Sequence, residues 1–168
     1  MDARAKGMGA IKEVKATLEG LTGLFRTLAK EHGEARVLLK GAAKSSNDLD
    51  WKRVFPNVRA QLLAHERGEM AVLYPKLLAL EETRPLAEDH NREAKEMESL
   101  IEALNADGFG HPERQARVQR LLDLVDHHAN EEESSYFRKA QDALGKDAAK
   151  QLEGAYLSKK DEILRDLG

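Results

Sequence analysis

The sequence contains no cysteine, and only 5% of its residues are aromatic. The missing thiols exclude disulfides, thiolate zinc sites, cysteine-ligated iron–sulfur clusters and a cysteine nucleophile. They agree with a reducing cytoplasm, which is the expected location. Proline is scarce, at four residues, and β-branched residues are few, which argues against strands. No run of about 18 apolar residues occurs, so no membrane span is expected. The opening stretch "MDARAKGMGAIKEVKATLEG" alternates charged and small residues, without the apolar centre of a signal peptide. An excess of one charge is missing too: 27 Lys and Arg interspersed among 30 Asp and Glu give a formal net charge of −3. No basic footprint for nucleic acid is expected. There is also no Ser–His–Asp set, Gly-rich phosphate loop or nucleotide motif.

What is abundant is Ala, Leu, Glu, Lys and Arg, the strong helix formers, so the fold class expected is all-α. A chain of 168 residues suits one domain with a real core. The punctuation predicts a first helix over about Ile11–Lys44, with a possible break at "EGLTG", where Gly20 and Gly23 fall. "SSND" then caps a second helix over Asp50–Tyr74, with Pro56 in its first turn or kinking it, and Pro75 at its end. A third helix is expected over Pro85–Asn105 with Thr83 as N-cap, and a fourth over Pro112–Leu144, stopped by Gly145. A last helix, Asp147–Leu167, completes the chain. Short connections between long helices imply an antiparallel four-helix bundle over about 21–144, with extra helical segments at both ends of a single domain spanning 1–168.

Six histidines are present, and helix phase shows where five of them point. His32 shares its face with Phe25, Leu28 and Leu39, and His65 with Val58, Leu62 and Val72. His90 shares its face with Leu86, Met97 and Ile101, and His128 with Leu121, Leu124 and Val125. These four lie in apolar stripes, one per bundle helix. His127 meets Asp123, Asn130, Glu131 and Ser134, so it is expected to face outward; His111 lies in the "ADGFGHPE" loop and is expected to be solvated. A single histidine on an apolar stripe is usually a hydrogen-bonded core residue. Four in one bundle would need four separate explanations, and a shared metal centre explains them together.

Two carboxylates extend the pattern. "HERGE" places Glu69 one turn after His65, and "HANEE" places Glu132 one turn after His128. The two halves of the chain also repeat: "LAKEHG" resembles "LAEDHN", and "HERGEMAVLY" resembles "HANEEESSYF". Each helix hairpin offers one His from its first helix and a His-x-x-x-Glu from its second. Two hairpins about a pseudo-twofold axis would bring four imidazoles and two carboxylates together, enough for a dinuclear centre. Glu133 matches Met70 in the repeat and is not expected to bridge; Tyr74, Tyr136 and Trp51 are expected to pack rather than ligate. A ferritin-type site needs Glu-x-x-His pairs, and no histidine here has a Glu three residues before it.

These elements, His32, "HERGE" with "LYP", His90, and "HHANEEE" with "YF", resemble the hemerythrin-like, or HHE cation-binding, domains over roughly Leu21–Leu144. The resemblance implies a four-helix bundle holding a non-haem di-iron centre, with bridging carboxylates and an oxo or hydroxo bridge. The implied ligands are His32, His65, Glu69, His90, His128 and Glu132. Zinc or manganese rank behind iron for the same donor set. The chain departs from oxygen-carrying members on its third helix, where the second histidine expected four residues after His90 is Ala94. Glu66 and Glu93 are the candidates for an additional oxygen ligand. That departure moves the expectation from pure O2 carriage toward the four-His, two-Glu members, which resemble iron–sulfur-cluster repair and NO- or peroxide-handling proteins. The function expected is binding or redox processing of a small molecule such as O2, NO or peroxide, with a possible redox partner. An iron or oxygen sensor, or an iron store, is the alternative.

Overall fold

The computed structural model describes residues 2–168, and every regular element among them is helical. Helix α1 (Ala3–Leu18) is capped by Asp2, whose carboxylate accepts from the Arg4 backbone N–H at 2.8 Å. It ends where the first helix was expected to weaken. Gly20 and Gly23 take φ values of 83° and 53°, in the left-handed region that favours glycine. Gly23 has a second reason to lack a side chain, since a Cβ there would lie 2.4 Å from the Ala149 carbonyl oxygen. The expected helix Ile11–Lys44 is therefore two helices, α1 and α2 (Leu24–Ala43), with α1 folded back along α2.

Helix α3 (Asp48–Val72) starts at Asn47, which accepts from the Asp50 N–H at 2.9 Å, and it runs through Pro56. A short α4 (Tyr74–Leu78) carries Pro75 in its first turn, where the missing N–H leaves no bond unmade. Helix α5 (Arg84–Asp107) follows Thr83 as expected, but Thr83 is not a side-chain cap. Its hydroxyl donates back to the Leu77 carbonyl at 2.7 Å and ties α4 to α5 instead. Helix α6 (Arg114–Glu131) starts two residues later than expected. His111, before it, is half-buried rather than freely solvated, and its ring accepts from the Glu113 N–H.

The fourth bundle helix is not continuous. After α6 it widens into a π-helical turn, Glu132–Tyr136, and resumes as α7 (Phe137–Leu144). A π turn shifts the hydrogen-bond ladder by one residue and can leave a carbonyl without its usual partner. Ser134 and Ser135 both donate their hydroxyls to the Glu131 carbonyl, at 3.2 and 3.3 Å. Helix α8 (Lys146–Leu167) then packs against α3 and α2.

Helix α2 contacts α3 and α6, and α5 contacts the same two helices, so these four surround a shared interior. Two apolar clusters fill it. One holds Leu39, Trp51, Phe55, Met97, Ile101 and Leu121; the other holds Phe25, Leu28, Leu73, Tyr74 and Phe137. Each helix runs from one cluster to the other, and the direction alternates along the chain. Burying one such side chain contributes roughly 1.5–3 kcal/mol, so the two clusters hold the helices in place around the polar layer between them. Trp51 is a core anchor as expected, stacked on Phe55 at 4.2 Å. No helix among the described residues is long and apolar enough to cross a membrane.

Candidate metal centre

His32, His65, His90 and His128 occupy the layer between the apolar clusters, at 2–5% exposure. They are there because each sits mid-helix on the face that carries apolar residues a turn before and a turn after it. Glu66, Glu69 and Glu132 share the layer, and Glu69 is completely buried. The side chains converge through one set of atoms. Glu132 lies 3.1 Å from His32 Nε2, 3.3 Å from His90 Nε2 and 3.5 Å from His128 Nε2. Glu69 lies 3.8 Å from both His65 Nε2 and His90 Nε2. Glu66 Oε1 is 3.4 Å from His128 Nε2.

These donors fall into two overlapping groups that could hold a metal ion, His32–His65–His128–Glu132 and Glu66–Glu69–His90–His128, with the donor atoms of each within 4.8 Å of one another. Ring pairing follows the same division, with His32 5.0 Å from His65 and His90 4.0 Å from His128. All six residues expected as ligands are brought together. Of the two extra candidates, Glu66 enters the cluster and Glu93 does not. Glu93 approaches His128 from the Nδ1 side, at 3.8 Å, with a quarter of its side chain exposed. Its other oxygen meets His127 Nε2 at 3.4 Å.

The chemistry of the orphaned atoms tests whether a cation fits. The Nε2 atoms of His32, His65, His90 and His128, both oxygens of Glu69, and one oxygen each of Glu66 and Glu132 have no hydrogen-bond partner. A buried polar group left unpaired costs roughly 1–3 kcal/mol. Summed over these residues, that rivals the ~5–15 kcal/mol stability of a whole domain. Cations at the focus of nitrogen and oxygen donors remove the cost, and this donor set fits them.

Burial and neighbouring charge also shift the protonation of these groups. Burial and the neighbouring Glu132 and Glu66 charges hold the Glu69 carboxyl well above the ordinary range. Burial alone would push His128 down, but Glu66 and Glu132 outweigh it and hold the imidazole up to about 9. Burial lowers His90 to about 4. Glu69 and His128 are thus pushed toward their protonated forms, and His90 toward its neutral form.

Around the cluster stand residues whose part in it the sequence did not indicate. Tyr74 does more than pack: it stacks on His90 at 4.7 Å and donates its hydroxyl to Glu132 Oε1 at 3.1 Å. Glu133 does not bridge, as expected, but it meets His32 Nδ1 at 3.2 Å and pairs with Lys12 of α1 at 2.5 Å. Glu31 of α2 meets His65 Nδ1 at 2.9 Å. No pattern in the sequence pointed to Glu31, because its partners come from helices remote in the chain. His127 is 56% exposed, facing outward as helix phase predicts.

A model of the hemerythrin HHE cation binding domain matches residues 23–140. The chain belongs to this family. The hemerythrin segment holds every residue of the buried His/Glu cluster, while α1 and α8 lie outside it. A relative described as a DNA nickase, from Nostoc sp. (strain PCC 7120 / SAG 25.82 / UTEX 2576), is 27% identical over 138 residues. That alignment covers 82% of this chain and 39% of the relative's length. No solved structure gives a significant match. Family membership and the buried His/Glu groups agree on cation binding.

Proposed function

We propose that the chain is a hemerythrin-like di-iron protein that binds or redox-processes a small molecule such as O2, NO or peroxide. The observation that carries this reading is the convergence of four unpartnered imidazole Nε2 atoms and three carboxylates in one buried layer. The alternation of the bundle helices between the two apolar clusters supports the antiparallel four-helix arrangement typical of the family. Bound iron would supply one-electron redox chemistry and open coordination positions.

The protein's part is to hold donors, exclude water and limit what enters. His32, His65, His90, His128, Glu69 and Glu132 would hold the metals, with Glu66 as the extra oxygen donor. Beside Glu132 and Tyr74, a small apolar space is lined by Phe25, Leu73, Leu77 and Phe137. It offers about 10 Å³ to the centre of a water-sized molecule, close to the minimum for one such molecule. That size and polarity favour a small uncharged ligand. The Tyr74 phenol, pushed up by burial and the nearby Glu132 charge, keeps its proton and its hydrogen bond to Glu132.

Iron-loaded protein, reduced under anaerobic conditions and then given O2, NO or peroxide, tests the reading by absorption. A spectral change that saturates with one of these ligands is expected. A spectrum unmoved by all three contradicts it.

A further inference from the structure

The two terminal helices lie outside the family's segment, yet each sends a lysine to a carboxylate that backs one histidine of the cluster. Lys160 Nζ of α8 lies 2.6 Å from Glu31 Oε2, the oxygen that also meets His65 Nδ1 at 2.9 Å. Tyr156, one turn earlier on α8 and fully buried, donates to the same oxygen at 2.6 Å and lies 3.2 Å from His65 Nδ1. On the other side, Lys12 of α1 holds Glu133 at 2.5 Å, and Glu133 meets His32 Nδ1 at 3.2 Å. Room for this arrangement is built into the motif itself. A Cβ on Gly68, inside "HERGE", would lie 2.8 Å from Tyr156 Cε2.

His128, which pairs with His90 in the second donor group, has no such clamp among the described residues. His128 Nδ1 has no hydrogen-bond partner, and its nearest carboxylate, Glu93, is partly exposed at 3.8 Å. A carboxylate on the far nitrogen of a ligating imidazole fixes the ring and its tautomer, and makes it a better donor. The carboxylate does this only if it is itself held.

We infer that α1 and α8 are working parts of the metal centre: Glu31, held by Tyr156 and Lys160, and Glu133, held by Lys12, are positioning residues that make the His32–His65 side the tighter of two metal positions. The inference rests on reading the cluster as a metal centre.

Titration of the metal-free full chain with Co2+, followed by its visible bands and by calorimetry, tests it. The unaltered protein should fill in two resolved steps. The double variant Tyr156→Phe/Lys160→Met should weaken the first step about 10–100-fold and leave the second unchanged. Simple through-space repulsion predicts the reverse, because losing a lysine near a cation site tightens binding. Ile163→Ala, which truncates another buried residue of α8, should lower thermal stability while leaving both affinities in place. If the double variant does not fold, Tyr156→Phe alone should show a smaller loss of the same sign. An unchanged or tighter first step, a loss confined to the second step, or a single unresolved step overturns the inference. Failure of the unaltered protein to bind Co2+ at all overturns instead the reading as a metal centre.

Discussion

Tyr74 and Glu132, from different helices, are joined by a buried hydrogen bond of 3.1 Å from the phenol to the carboxylate. The same ring lies flat against His90. One side chain thus orients an expected bridging carboxylate and an expected ligand. Tyr74→Phe should keep the ring packing and lose the donor. The expected cost is about 1–2 kcal/mol in urea unfolding of the metal-free protein, since a buried carboxylate oxygen loses its partner. An unchanged midpoint would show that this bond is not made in solution.

Helix phase separates two adjacent histidines, and substitution should separate them as well. His128 is buried in the cluster, whereas His127 is 56% exposed. His65→Ala and His128→Ala should each lower metal content, measured by elemental analysis of the purified protein. His127→Ala should retain it. Metal loss on replacing His127 would mean that α6 is rotated from its position in the structure.

Proton release should accompany metal binding at neutral pH. His128 is held up to about 9 by Glu66 and Glu132 against the downward push of burial. Glu69, buried beside Glu132, stays protonated well above the ordinary carboxylate range. Both must shed a proton to become ligands. Calorimetry of metal binding at pH 7, in buffers of different ionisation enthalpy, should show at least one proton released, with the number falling as pH rises through about 9. The sign for stability follows. A histidine with a raised folded-state pKa stabilises fully below its unfolded value, and that stability is lost as pH rises through the folded value. The metal-free protein should therefore lose stability between pH 7 and about 9.

The six expected ligands were legible because each depends only on local phase: an apolar stripe, a helical turn, and a repeat of both. Glu66 was legible only as a candidate, since the internal repeat sets it against Ala129 and so does not mark it as it marks Glu69 and Glu132. Glu93 looked equivalent by spacing from His90, but its side chain meets the back of His128 rather than the focus of the cluster. Glu31, Tyr156 and Lys160 carry no local signal, because their meeting depends on how α8 docks across α3 and α2. The π turn at Glu132–Tyr136 escaped for another reason. It differs from an α-helix by one shifted hydrogen bond, which the paired serines, Ser134 and Ser135, accommodate without disturbing the apolar pattern.

Metal should also stabilise the fold, because it pairs donors that are otherwise buried without partners. A ligand present at 100 times its dissociation constant contributes about 2.7 kcal/mol. For a domain of this size that corresponds to a rise of about 5–10 °C in Tm. Thermal melts of chelator-treated protein, with and without added metal, should show this difference. Coincident melts would indicate that the cluster is stable without a cation.

The central claim is tested most directly by metal analysis and an absorption spectrum on the same purified sample. The account predicts about two irons per chain and near-ultraviolet bands of a bridged ferric pair. A colourless, metal-free protein that binds no iron on reconstitution, and melts at the same temperature with or without it, would contradict the account.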